Sequence, residues 1–127
     1  RVSVVVRREV EGKLDGLKRQ MGNVEELIAA IRERVGGGVE VQVVDFAQME
    51  LREQARVASE TDVMVGPHGA GMLWSLLMPP GSALVEFFPY LGGEVGPKCY
   101  ENLALRSGHC YGKIKERKPT DIAPPPD

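Results

Sequence analysis

Four short runs rich in β-branched and apolar residues recur along the chain, and each is separated from the next by a segment with helical features. They are "RVSVVV" at the start, "VEVQVVDF" from Val39, "TDVMVG" from Thr61 and "SALVEFF" from Ser82. Runs of this length and make-up read as strands. Between the first two, Asn23 opens a helix. Asn is a favoured N-cap, and Glu26 stands three residues later as a capping-box partner. Glu25 and Glu26 also suit the positive end of the helix dipole. Val24, Leu27, Ile28, Ile31 and Val35 recur at helical spacing, and the glycines Gly36 to Gly38 end the helix. Residues 48–60 carry a second set of helix formers, with Leu51, Ala55 and Ala58 spaced for an inward face. A short helix over Ala70 to Leu77 joins the third and fourth strands and is stopped by "MPPG", since proline cannot continue it.

Strands that alternate with helices predict an α/β fold, a parallel sheet covered by helices on both faces. The 127 residues are enough for one domain with its own core and not for two. "RREVEGKLDGLKRQMG" and "YLGGEVG" read as loops, "PKCYENLALRSG" as a short helix and "HCYGKI" as a last strand. "ERKPTDIAPPPD" is polar and Pro-rich, so it reads as a disordered tail. The domain is therefore expected over residues 1–113 and the tail over 114–127.

The formal net charge is −2 and no segment is markedly basic, so nucleic-acid binding through phosphate neutralisation is not expected. No apolar run approaches the roughly 20 residues of a membrane helix. The chain opens at Arg1 rather than Met, as expected of a piece of a longer protein. Two cysteines, Cys99 and Cys110, favour free thiols over a bridge.

In parallel α/β sheets ligands bind at the carboxyl ends of the strands. The loop "GPHGAG" ends the third strand. Gly69 and Gly71 let the backbone come close to a ligand. The helix after them begins at Ala70, where unpaired N–H groups and the helix dipole favour an anion. A phosphate or pyrophosphate suits such a site, and His68 can add a hydrogen bond or a positive charge. Glu86, at the end of the next strand, can accept from the vicinal hydroxyls of a ribose. Each feature also has a plainer explanation: glycines serve packing at strand–helix turns, and a carboxylate can serve a salt bridge. Trp74 and the methionines near it read as core.

The stretch "TDVMVGPHGAGMLWSLLMPPGSALVEFFP" resembles the signature of glycosyltransferase family 61. So do "RVSVVVRR" with Arg7, "RQMGNVEEL" with Arg19, Asn23 and Glu26, "MELREQARVASETD" with Gln54, and "KCYENLALRSGHCY". The resemblance covers roughly Arg1 to Tyr111. Trp74 and Ser75 stand where the family more often has Thr-Asn or Thr-His.

The resemblance implies the Rossmann-like C-terminal domain of a GT-B-type enzyme. It implies transfer of a sugar from a nucleotide sugar, usually a UDP-sugar, to a protein or polysaccharide with inversion. The donor site would comprise Arg7, Arg19, His68, Gly69, Ala70, Gly71 and Glu86, with His68 also the candidate catalytic group. No cofactor beyond the donor is implied, and no D-x-D pair or His/Cys cluster marks a metal. The family further implies a partner N-terminal domain not included in these residues, and the lumen of the Golgi or endoplasmic reticulum.

Three alternatives can be weighed from sequence. An α/β-hydrolase needs Ser in G-x-S-x-G, and none of the serines sits in that pattern. A dinucleotide site needs G-x-G-x-x-G, whereas "GPHGAG" is G-x-x-G-x-G. A glycosyltransferase-like module that only binds a partner stays open; nucleotide binding separates it from an enzyme.

Overall fold

A computed structural model describes residues 1–6, 23–88 and 98–115. The loops expected before Asn23 and after Pro89 lie outside the described residues; the tail expected over 114–127 is described only to Lys115, and those first two residues continue the last strand. Strands β1 (Val2–Val5), β2 (Val41–Val44), β3 (Val63–Pro67), β4 (Ala83–Phe88) and β5 (Cys110–Lys115) form one sheet. All pair in parallel, in the order β2-β1-β3-β4-β5. The helices are α1 (Val24–Val35), α2 (Leu51–Ser59) and α3 (Cys99–Arg106). A short 3-10 turn, Phe46–Gln48, precedes α2, and a 3-10 helix, Ala70–Leu77, links β3 to β4.

Side chains alternate across the strands, so the sheet has two apolar faces and needs two helical layers. Val2, Val4, Val41 and Val65 share one face with Ile28 of α1, and Val24, Leu27 and Ile31 complete that contact. Val5, Val44, Met64 and Leu84 share the other with Val57 and Ala58 of α2, Met72 of the 3-10 helix and Ala104 of α3. The expected α/β architecture with helices on both faces is what forms.

Local details differ from the expectation for physical reasons. Asn23 precedes α1, but its side chain makes no cap hydrogen bond. At φ −123°, ψ 38° its backbone is not in the extended region from which an Asn side chain reaches back to the helix. Val43 is 47% exposed because β2 is an edge strand, and Leu51 projects from the first turn of α2 at 72%.

The segment from Ala70 to Leu77 is helical as expected but 3-10 rather than α. At about 2.0 Å per residue, a 3-10 helix carries the chain further along the sheet than an α-helix of equal length. A crossover this short has to cover the length of a strand. A thread of polar groups was not anticipated: Gln42 Nε2 donates to Ser3 Oγ, and Ser3 Oγ donates to Thr61 Oγ1, whose own proton goes elsewhere. Thr61 in turn donates to the carbonyl of Val57 at 2.7 Å, tying the end of α2 to the sheet.

Candidate functional site

The sheet order reverses direction between β1 and β3, so the crevice at the carboxyl ends of these strands is the expected ligand position. His68 follows β3 there. Its backbone N–H donates to the Phe87 carbonyl at 2.9 Å, which extends the β3–β4 ladder by one bond and fixes the start of the loop. Gly66, two residues earlier, has no room for a side chain. A Cβ there would stand 2.9 Å from Val5 Cβ and 3.0 Å from Met72 Cε. Gly71 packs over Phe46 and Val5, with a Cβ position 3.4 Å from Phe46 Cδ2. Close packing therefore accounts for part of this glycine-rich sequence. Gly69 is extended, and its carbonyl accepts from Met72 N at 3.0 Å as the 3-10 helix begins at Ala70.

Alternation along β4 puts Glu86 on the same face as Leu84 and Phe88. Its register partners are Gly66 on one side and Lys113 on the other. Glu86 is fully buried, at 0% exposure. Both its oxygens are engaged: Oε2 lies 2.7 Å from His68 Nδ1, and Oε1 accepts from the Tyr111 hydroxyl at 2.8 Å. Burial, reinforced by the hydrogen bond to Glu86, pushes the Tyr111 phenol well above its ordinary range. Tyr111 therefore stays a donor across the physiological range.

The imidazole of His68 is held from its flanks as well. It stacks on Phe88 with centroids 5.1 Å apart, and Tyr100 of α3 closes at 5.2 Å. Its side chain retains 16% exposure. Beyond Phe88, Lys113 Nζ lies 5.7 Å from the ring centroid and 3.8 Å from Glu101 Oε2. The 3-10 helix after the loop is anchored by Trp74, whose indole N–H donates to Gln54 Oε1 at 2.8 Å. Gln54 donates in turn to the Met49 carbonyl at 2.9 Å.

Of the residues singled out from sequence, the structure brings His68 and Glu86 into contact and places Gly69, Ala70 and Gly71 directly after His68. Arg7 and Arg19 lie outside the described residues. Glu86 contacts His68 and Tyr111 with the two oxygens that the ribose reading assigned to a ligand. Tyr111, Tyr100, Phe88 and Lys113 were not foreseen. A period-two reading of "HCYGK" puts Tyr111 and Lys113 on one face, but only the β4–β5 register shows that this face is Glu86's. Cys99 and Cys110 are exposed free thiols. Among the described residues, no group of three or more His, Cys, Asp or Glu could hold a metal. No helix among them is long and apolar enough to cross a membrane.

Residues 1–85 match the family described as Glycosyltransferase 61. The chain is 33% identical over 108 residues to the EGF domain-specific O-linked N-acetylglucosamine transferase of Mus musculus, covering 84% of this chain and 19% of that protein. The Drosophila melanogaster protein of the same name is 28% identical over 109 residues, 86% of this chain and 19% of its own length. The xylan glycosyltransferase MUCI21 of Arabidopsis thaliana is 37% identical over 76 residues, 60% of this chain and 15% of its own length. The chain thus spans about a fifth of the animal relatives it matches. Among solved structures, two-electron reduced Megasphaera elsdenii flavodoxin superposes with a TM-score of 0.51 at 19% identity, covering 91% of this chain and 85% of that one. That likeness is one of fold alone.

Proposed function

Since the chain belongs to glycosyltransferase family 61, we propose that it is the donor-binding part of an enzyme that transfers a sugar from a UDP-sugar to a protein or polysaccharide. The observation that carries this reading is His68. Its backbone is pinned at the carboxyl end of β3, and its Nδ1 is held by a buried carboxylate. With Nδ1 occupied, Nε2 is the ring atom left for a ligand.

In this reading the diphosphate of the donor lies over the Gly69–Gly71 backbone, where the first N–H groups of a helix are free to donate. His68 Nε2 meets one of its oxygens. Arg7, one residue beyond Val6, and Arg19 supply the remaining positive charge. Glu86 contributes by orienting His68.

Inversion is a single in-line displacement. The acceptor oxygen forms its bond to the anomeric carbon as the bond to the diphosphate breaks, and the electron pair leaves on the diphosphate. Donors aimed at that developing charge lower the barrier. The base that takes the acceptor's proton is assigned to the partner domain of a two-domain GT-B arrangement, which functions in the Golgi or endoplasmic reticulum lumen.

The test is a competition titration of the chain with UDP, UDP-N-acetylglucosamine, UDP-xylose and NAD. Binding of UDP and at least one UDP-sugar at a shared site, with NAD excluded, supports the reading. Preference for NAD sinks it.

A further inference from the structure

We infer that Tyr111 is a positioning residue for the diphosphate site, acting through Glu86 to aim Nε2 of His68. The inference rests on the donor-site reading above and extends it to β5. Tyr111 stands opposite Leu84 in the β4–β5 register, and Glu86 is two residues further along β4 on the same face. An aromatic side chain is long enough to reach that diagonal neighbour, and the hydroxyl donates to Oε1 at 2.8 Å.

The contacts that hold the imidazole fix different things. Phe88 stacks on it with an interplanar angle of 23°, and Tyr100 lies tilted at 56°. Ring packing sets the plane of an imidazole but leaves it free to turn within that plane. The turn is set by a directional bond, the one between Nδ1 and Glu86 Oε2 at 2.7 Å. That bond is only as well aimed as the carboxylate. The last torsion of a glutamate side chain is broad, so its own rotamer does not hold the carboxylate plane. Tyr111 holds it by taking Oε1, which leaves Oε2 for the ring.

A role in packing alone explains the arrangement less well. Phenylalanine at 111 would fill the same space. A carboxylate is costly to bury even when paired, and an apolar side chain at 86 would avoid that cost. Glu86 is nonetheless fully buried, and it joins the hydroxyl on β5 to a loop histidine whose side chain keeps 16% exposure. Burial also keeps the Tyr111 phenol protonated, so the donor is present throughout the physiological range.

Two measurements test this. The first needs no variant. In NMR of the free chain, the Nδ1 proton of His68 and the hydroxyl proton of Tyr111 are expected as slowly exchanging signals. A His68 ring that turns freely overturns the proposal. The second is calorimetric titration of UDP into the parent chain and into Tyr111→Phe, with the His68 signals followed in both. The expected result is a loss of about three- to tenfold in affinity. The sharp Nδ1 proton signal is lost with it, while the methyl signals of Val2, Val4 and Val65, on the other face of the sheet, stay in place. Displaced methyl signals make the hydroxyl a support of the fold in general and overturn the positioning role. Equal affinity in the variant, or weaker affinity with the ring signal unchanged, also overturns it and leaves the donor site standing. No binding by the parent chain counts against the donor-site reading, and the role falls with it.

Discussion

His68 and Glu86 are eighteen residues apart in the chain, yet Nδ1 of one lies 2.7 Å from Oε2 of the other. The contact arises because β3 and β4 are parallel neighbours in register, with Gly66 opposite Glu86 and Pro67 opposite Phe87. His68, just past the end of β3, can fold its ring back over the carboxylate. Replacing Glu86 with Gln keeps the shape and removes the charge. UDP affinity is expected to fall about tenfold, the worth of one charge-assisted hydrogen bond. Unchanged affinity would show that Glu86 does not act through the ring.

Tyr111 sets a limit on alkaline stability. Its phenol is raised above the ordinary value of 10.0 by burial first and by Glu86 second. An acid whose folded-state value is raised contributes its stability in full below the unfolded value. That contribution is lost as pH rises through the folded one. Ultraviolet titration should therefore show Tyr111 ionising only together with unfolding. In Tyr111→Phe the buried Oε1 loses its donor, and denaturant titration at pH 7 should read a loss of about 1–3 kcal/mol.

Gly66→Ala is expected to destabilise by about 1–3 kcal/mol through overpacking, since the added methyl meets Val5 Cβ at 2.9 Å and the Val5 carbonyl at 3.2 Å. Gly37→Ala, where a Cβ meets nothing within 4 Å, serves as the control. Equal denaturation midpoints for the two variants would contradict the packing account of the loop's first glycine.

Trp74 joins the 3-10 helix to α2 through Gln54. Trp74→Phe keeps the ring contact with Phe46 and removes the N–H. The expected cost is about 1 kcal/mol, and Gln54→Ala should cost less in the Trp74→Phe background than in the parent chain, the remainder being the bond to the Met49 carbonyl. Additive losses in the double variant would rule out the link.

Much of this architecture was legible because period-two and period-3.6 patterns report which face an element buries. Val2, Val4 and Met64 announce strands, and Ile28 with Leu27 announces a helix packed on them. The loop at His68 was legible for a different reason, the position of Gly and His at the end of a strand. The Tyr111 contact was not. It depends on β5 pairing beside β4, a relation between distant segments that no local pattern encodes. The exposure of Val43 and Leu51 likewise depends on where the sheet ends, and the 3-10 form of Ala70–Leu77 on the distance that crossover must cover.

The most direct measurement is a calorimetric titration of UDP into the chain and into its His68→Ala variant, with circular dichroism to show that both are folded. The account predicts saturable binding to the parent chain and a loss of at least about tenfold in the variant. Equal binding by both, or none by a folded parent chain, would contradict a nucleotide-diphosphate site at the end of β3.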